Sequence, residues 1–164
     1  MIRWALPLAA LAALPGCGLQ PLYATGGQQS LGAELAQVNV PAIPGQAGWL
    51  MRNALSDRLG SATGNSGSRY TLDVRLDDQL EGLGLLGDDT ISRERRTLRA
   101  RYSLTDNQTG EVLVDATAGS DAGIDVVSSE YATIAAEQSA LENLTQQVAD
   151  QIVARIALTL RKSQ

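Results

Sequence analysis

The chain predicts an α+β fold: a two-layer sandwich in which two helices pack on one face of a mostly antiparallel four-stranded sheet, in the order β-α-β-β-β-α. Three observations carry this. Apolar and polar residues alternate over 70–77, 91–104 and 111–118, the pattern of half-buried strands. Residues 48–59 and a long C-terminal stretch instead repeat apolar positions every three or four residues, the period of amphipathic helices. A sheet that is apolar on one face and two such helices bury one another only as two layers.

The elements follow in order. Residues 1–16 read as a secretory leader: one cation (Arg3), an apolar run from Trp4 to Leu14, then Pro15-Gly16 before Cys17. That run is 11 residues long, against ~20 for a bilayer-spanning helix. Cys17 is the sole cysteine of the chain, and it stands where a signal peptidase would cut. Leu14, Gly16 and Cys17 fit the bacterial lipobox, with Pro15 an atypical member. Cys17 is therefore the expected lipid attachment point. Acyl chains (palmitate among them) would hold the mature chain to a membrane without spanning it, since each buried methylene contributes about 0.8 kcal/mol. Gly18 rather than Asp follows, which by analogy with the usual sorting rule directs the protein to the outer membrane, facing the periplasm.

Residues 17–32 carry the Gly-, Gln- and Pro-rich stretch GLQPLYATGGQQSLG and read as the lipidated N-terminus and a tether. The domain is expected over 33–164. Its first strand reads as Leu35 to Ile43, stopped by Pro41 and Pro44. Ala47, Leu50, Met51, Ala54, Leu55 and Leu59 then form one helical stripe, and Gly60 is placed to end it. After a loop over 61–68, Tyr70, Leu72, Val74 and Leu76 alternate with Thr71, Asp73, Arg75 and Asp77. In the next strand Leu98, Ala100, Tyr102 and Leu104 face the core, and in the last Val112, Val114 and Ala116 do. A short apolar piece, 124–127, precedes Ser128 and Ser129, which supply an N-cap. Ile134, Leu141, Leu144, Val148, Ile152, Ile156 and Leu160 then run as one stripe to Arg161 and Lys162, cations at the negative end of the helix dipole.

Composition excludes several functions. The chain has no histidine, and its one cysteine is assigned to lipid. Cys/His zinc sites and Ser-His or Cys-His nucleophile pairs are therefore ruled out, and no catalytic residue, metal or cofactor is expected. The adjacent acids Asp77-Asp78 and Asp88-Asp89 read as solvated loop residues rather than as an acid/base pair, so the protein is not expected to be an enzyme. Net charge is −5, and losing Arg3 with the leader makes it −6; a chain this acidic has no net pull toward nucleic acid.

Two features are candidates for binding. Arg93, Arg95, Arg99 and Arg101 fall on the outward face of one strand at period two, over roughly 27 Å. Arginine's fork matches phosphate bidentately, so the row could grip a polyanion such as the phosphorylated core of a glycolipid. Alternatively, Asp73, Asp77, Glu111 and Asp115 on neighbouring strands could neutralise it. The loop EGLGLLGDDT, 81–90, presents Leu83, Leu85 and Leu86; they either enter a partner or bilayer surface or fold back over the core.

The run Cys17-Gly18-Leu19-Gln20-Pro21-Leu22-Tyr23 resembles the start of the LPS-assembly lipoprotein LptE family, Cys-Gly, then Leu or Phe, any residue, and Pro-Leu-Tyr. The β-α-β-β-β-α order is similar to that family's two-layer fold across the mature chain. The resemblance implies an outer-membrane lipoprotein lodged in the lumen of the LptD β-barrel, assisting lipopolysaccharide insertion and binding lipopolysaccharide through basic residues. It assigns no individual positions; the arginine row is a candidate from the residues themselves. The alternative is an auxiliary lipoprotein of an ABC-type envelope lipid transport system, whose chains also begin near Cys-Gly with Pro and Tyr following.

Overall fold

The computed structural model describes residues 28–60, 67–85 and 91–162. Its elements are α1 (Gln28–Leu35), β1 (Val38–Asn39), α2 (Gly45–Leu59), β2 (Tyr70–Leu85), β3 (Ile91–Asp106), β4 (Val112–Asp125) and α3 (Glu130–Lys162). The four strands form one sheet in the order β1-β2-β3-β4. β1 runs parallel to β2, while β2–β3 and β3–β4 are antiparallel. α3 lies over β3 and β4, with α2 beside it against β2. This is the expected α+β sandwich, with a short additional helix before it.

The core is the aliphatic layer between sheet and helices. Leu72, Leu98, Ala100 and Leu104 from the sheet meet Met51, Leu55, Leu144, Val148, Ile152, Ile156 and Leu160 from the helices, all fully buried. Each such large side chain contributes about 1.5–3 kcal/mol by leaving water. Arg58 clamps the two long helices together: it pairs with Asp150, and its Nη2 donates to Gln146 Oε1 at 2.7 Å.

Several elements depart from the sequence reading. Residues 28–32, read as tether, are helical, and Leu35 closes that helix instead of opening a strand. The strand expected over 35–43 shrinks to two residues. Pro41 and Pro44 have no N–H to give a ladder, so after Val38↔Tyr70 and Asn39↔Thr71 the chain leaves the sheet, while Val40 and Ile43 stay buried. Arg52 Nε donates to Val40 O at 3.1 Å and holds that segment on α2. A Cβ on Gly48 would come within 2.5 Å of Ile43 O, so glycine is what allows this approach. Gly60 caps α2 in the left-handed region (φ 66°), its N–H donating to Ser56 O.

The third difference is the length of the hairpin arms. β2 continues through Glu81, Gly82 and Leu83 to Leu85, paired with β3, so the first half of the predicted 81–90 loop, 81–85, is strand. β4 likewise runs on to Asp125, taking in the buried Ile124. Val112, expected inward, is 55% exposed. The β3–β4 register shifts between Leu104 and Thr105, pairing Leu104 with Val114 but Thr105 with Val112. This bulge inserts one residue, so alternation reverses across it and Leu113 packs on the core instead.

α3 follows its predicted stripe except at its start. At 1.5 Å per residue its 33 residues reach about 50 Å, against about 22 Å for the 15 residues of α2, so its first turns outrun the second helix. Ile134 is 54% exposed there and Tyr131 84%. Ser129 begins the helix through its carbonyl, which accepts the Thr133 N–H at 3.1 Å. Among the described residues no helix is long and apolar enough to cross a membrane.

Candidate functional site

Among the described residues, the face of the sheet turned away from the helices is polar except at Leu83 near the end of β2. From β3 it presents Arg93, Arg95, Thr97, Arg99 and Arg101. β4 adds Asp115, Thr117, Gly119, Asp121, Gly123 and Asp125, and β2 adds Asp73, Arg75, Asp77, Gln79, Glu81 and Leu83. Alternation forces this arrangement: with Leu98, Ala100, Tyr102 and Leu104 inward, the odd-numbered neighbours point out. The four arginines of the predicted row therefore do share one open face, and all are exposed.

The row is neutralised at its two ends and free in its middle. Arg93 Nε lies 3.1 Å from Asp125 Oδ1, and Arg101 Nη2 lies 3.2 Å from Asp115 Oδ2. Of the four acids the sequence put forward as partners, only Asp115 pairs with the row. Asp73 meets Arg75 of its own strand at 3.8 Å, Asp77 accepts from Gln79 Nε2 at 3.2 Å, and Glu111 lies before β4 begins. Among the described residues, Arg95 and Arg99 make no ion pair and no side-chain hydrogen bond. On β4, Arg95 stands opposite Gly123 and Arg99 opposite Gly119, which offer no side chain; on β2 they stand opposite Glu81 and Asp77, and neither acid forms an ion pair with them. The salt-bridged alternative thus holds at Arg93 and Arg101 and not at Arg95 and Arg99.

Leu83 lies on this same face, half-buried and paired in register with Arg93. Leu85 pairs with Ile91 at the end of β2. Leu86 and Cys17 lie outside the described residues. Leu83 and Leu85 thus belong to the far end of β2 rather than to a free loop, because the backbone ladder continues through Gly82 to Leu85.

The helix side holds an ion pair that alternation alone did not bring forward. Arg96 has the parity of the core positions. Its Nε donates to Asp78 Oδ1 at 2.9 Å and its Nη2 to Asp78 Oδ2 at 2.7 Å, while Nη1 donates to Glu137 O of α3 at 2.9 Å. The hydrogen bond to Asp78 pushes the Arg96 pKa further up. The available signal was two opposite charges at core-facing positions of adjacent strands. At the other end of the sheet, Asp106 accepts the Gln108 N–H at 2.8 Å and Arg69 Nε at 3.3 Å; the first of these chiefly, with help from the arginine, holds its carboxyl below the usual value. Burial pushes the Tyr102 phenol up. Among the described residues no group of acids could hold a metal ion.

Comparison with known proteins gives the arrangement its context. The chain matches the family model for LptE, lipopolysaccharide-assembly, over residues 35–156. No curated protein matches it. Among solved structures it is similar to a Caulobacter crescentus protein assigned as a lipoprotein, with TM-score 0.70 and 23% identity over 82% of this chain and 98% of that one. It is also similar to rare lipoprotein B from Shewanella oneidensis (TM-score 0.55, 12% identity, 76% and 95% covered). A minor lipoprotein from Acinetobacter baumannii is comparable (TM-score 0.55, 16% identity, 74% and 88% covered). These likenesses show a shared fold, and the family match spans most of the domain built above, from the end of α1 to the last turns of α3: the chain belongs to the lipopolysaccharide-assembly family LptE.

Proposed function

We propose that this lipoprotein partners the LptD β-barrel in assembling lipopolysaccharide at the outer membrane. It is held there, facing the periplasm, by acyl chains on Cys17, and it acts as a binding and scaffolding protein rather than an enzyme. The family match over residues 35–156 carries this reading. The open sheet face supports a direct role toward lipopolysaccharide. Arg95 and Arg99 present two uncommitted guanidinium groups, and a phosphate accepts from such a fork bidentately. Arg93 and Arg101, already paired with Asp125 and Asp115, frame the contact. Leu83 and Leu85 at the end of β2, with Leu86 next in sequence, are assigned to the protein partner.

Affinity purification of the full chain from detergent-solubilised membranes tests the proposal. A one-to-one complex with the outer-membrane barrel is expected. Recovery with an inner-membrane transporter or its lipid-shuttling subunit would overturn it in favour of an ABC-type transport auxiliary.

A further inference from the structure

Gly119 interrupts the outer face of β4 between Thr117 and Asp121, and the gap is a depression. It is walled by Thr97 and Arg99 on β3 and by Thr117 and Asp121 on β4, with a volume of about 240 Å³. The aliphatic stem of Arg99 leans over the floor: a Cβ on Gly119 would meet Arg99 Cγ at 3.3 Å and Leu98 O at 3.3 Å. The floor is held from behind. Gln151 of α3 accepts the Gly119 N–H at 3.4 Å and donates to the Gly119 carbonyl at 3.3 Å, and Ser120 Oγ donates to Gln147 Oε1 at 2.7 Å. The side-chain amide thus occupies the edge groups of Gly119 that another strand would need.

The lining selects a ligand class. An anion alone would meet the Asp121 carboxylate, which has no ion-pair partner among the described residues, and a cation alone would meet Arg99. A carboxylate that accepts, a guanidinium that donates and two hydroxyls that do both suit a neutral ring with hydroxyls on adjacent carbons. The volume is below the ~300–1,000 Å³ of whole small-molecule sites, which fits one ring of a larger molecule. Arg95 stands four residues along the same row, on the far side of Thr97, roughly 13 Å away, and is free to take a charged substituent of that molecule.

We infer that the Gly119 depression is a saccharide subsite, taking one sugar ring through Asp121, Arg99, Thr97 and Thr117 while Arg95 takes a phosphate carried by the same ligand. This deepens the reading of the arginine row as a phosphate-binding face and rests on it. The test is titration of the detergent-solubilised full chain with inorganic phosphate, glucose and glucose 6-phosphate, followed by backbone amide shifts and calorimetry. Glucose 6-phosphate is expected to bind at least tenfold more tightly than phosphate, shifting the Thr117, Gly119 and Asp121 amides. Asp121→Ala or Gly119→Val should bring it to the level of phosphate; Asp121→Ala replaces an exposed, unpaired side chain and keeps the test valid if Gly119→Val folds poorly. Equal binding of phosphate and glucose 6-phosphate, or an advantage that survives Asp121→Ala, overturns the subsite. Phosphate binding that survives Arg95→Ala with Arg99→Ala overturns instead the phosphate reading of the row.

Discussion

Arg96 of β3 holds Asp78 of β2 through two parallel hydrogen bonds, 2.9 and 2.7 Å, on the helix side of the sheet, with 16% and 25% of the two side chains exposed. A third bond, to Glu137 O, ties the same guanidinium to α3, so one side chain joins two strands and a helix where the aliphatic layer ends. Charge-assisted bonds of this kind contribute about 1.5–3 kcal/mol. Arg96→Ala should therefore destabilise the domain by roughly that amount, and a double-mutant cycle with Asp78→Ala should give a coupling of about 1 kcal/mol or more. Urea unfolding of the single and double variants measures both.

The open face behaves in the opposite way. Arg95→Ala with Arg99→Ala removes two exposed side chains with no partner among the described residues, so stability should stay within about 0.5 kcal/mol. Lipopolysaccharide binding should fall more than about 100-fold, since two charge-assisted contacts are lost. Unchanged binding with a clear drop in melting temperature would reverse the roles assigned here.

Replacing Leu83, Leu85 and Leu86 together by Ser should weaken the complex with the barrel while the isolated domain still unfolds cooperatively. Leu83 is half-buried on the outer face and not part of the aliphatic layer. Loss of cooperative unfolding would place the three leucines among the groups that hold the sheet together.

Cys17→Ser should abolish acyl labelling and release the protein from membranes. Membrane retention without a lipid, read by fractionation, would put the anchor elsewhere.

Acid should loosen the β3–β4 turn. Asp106 has a folded-state pKa below its unfolded value of about 3.9, because the Gln108 N–H and Arg69 stabilise the carboxylate. Its contribution is then fully present above about pH 4–5, and is lost as pH falls through the lower folded value. Asp106→Asn should lower the melting temperature at pH 6 and make a much smaller difference at pH 2.5.

Most of this architecture could be read from alternation, because a period of two is a strong signal wherever one face is buried. Leu98, Ala100, Tyr102 and Leu104 went to the core and the arginines outward for that reason alone. The reading failed where tertiary contacts override local pattern. Val112 turned outward because the bulge at the next residue, Leu113, reset the parity. A strand of nine residues became two because the prolines matter more than the valines beside them. Residues 28–32 look like linker by composition, and they are helical next to the docked Leu31 and Leu35. The candidate site was half legible. The row of arginines was visible, but which of them pair depended on what both neighbouring strands place opposite and on where those acids turn, as Asp77, opposite Arg99, accepts from Gln79 instead. Arg96 at a core-facing position was a cue, but its meaning needed Asp78, 18 positions away on the adjacent strand.

The parallel pairing of β1 with β2 also sets an order of assembly. Residues 70–125 form two hairpins whose partners are neighbours in sequence, so their ladders can close with little loss of chain entropy. Val38, by contrast, must find Tyr70 across the whole of α2, and its reward is two residues of ladder. Longer closures cost more entropy and such contacts tend to form late. By that rule the meander closes first, and β1, which reaches its partner only across α2, joins it late.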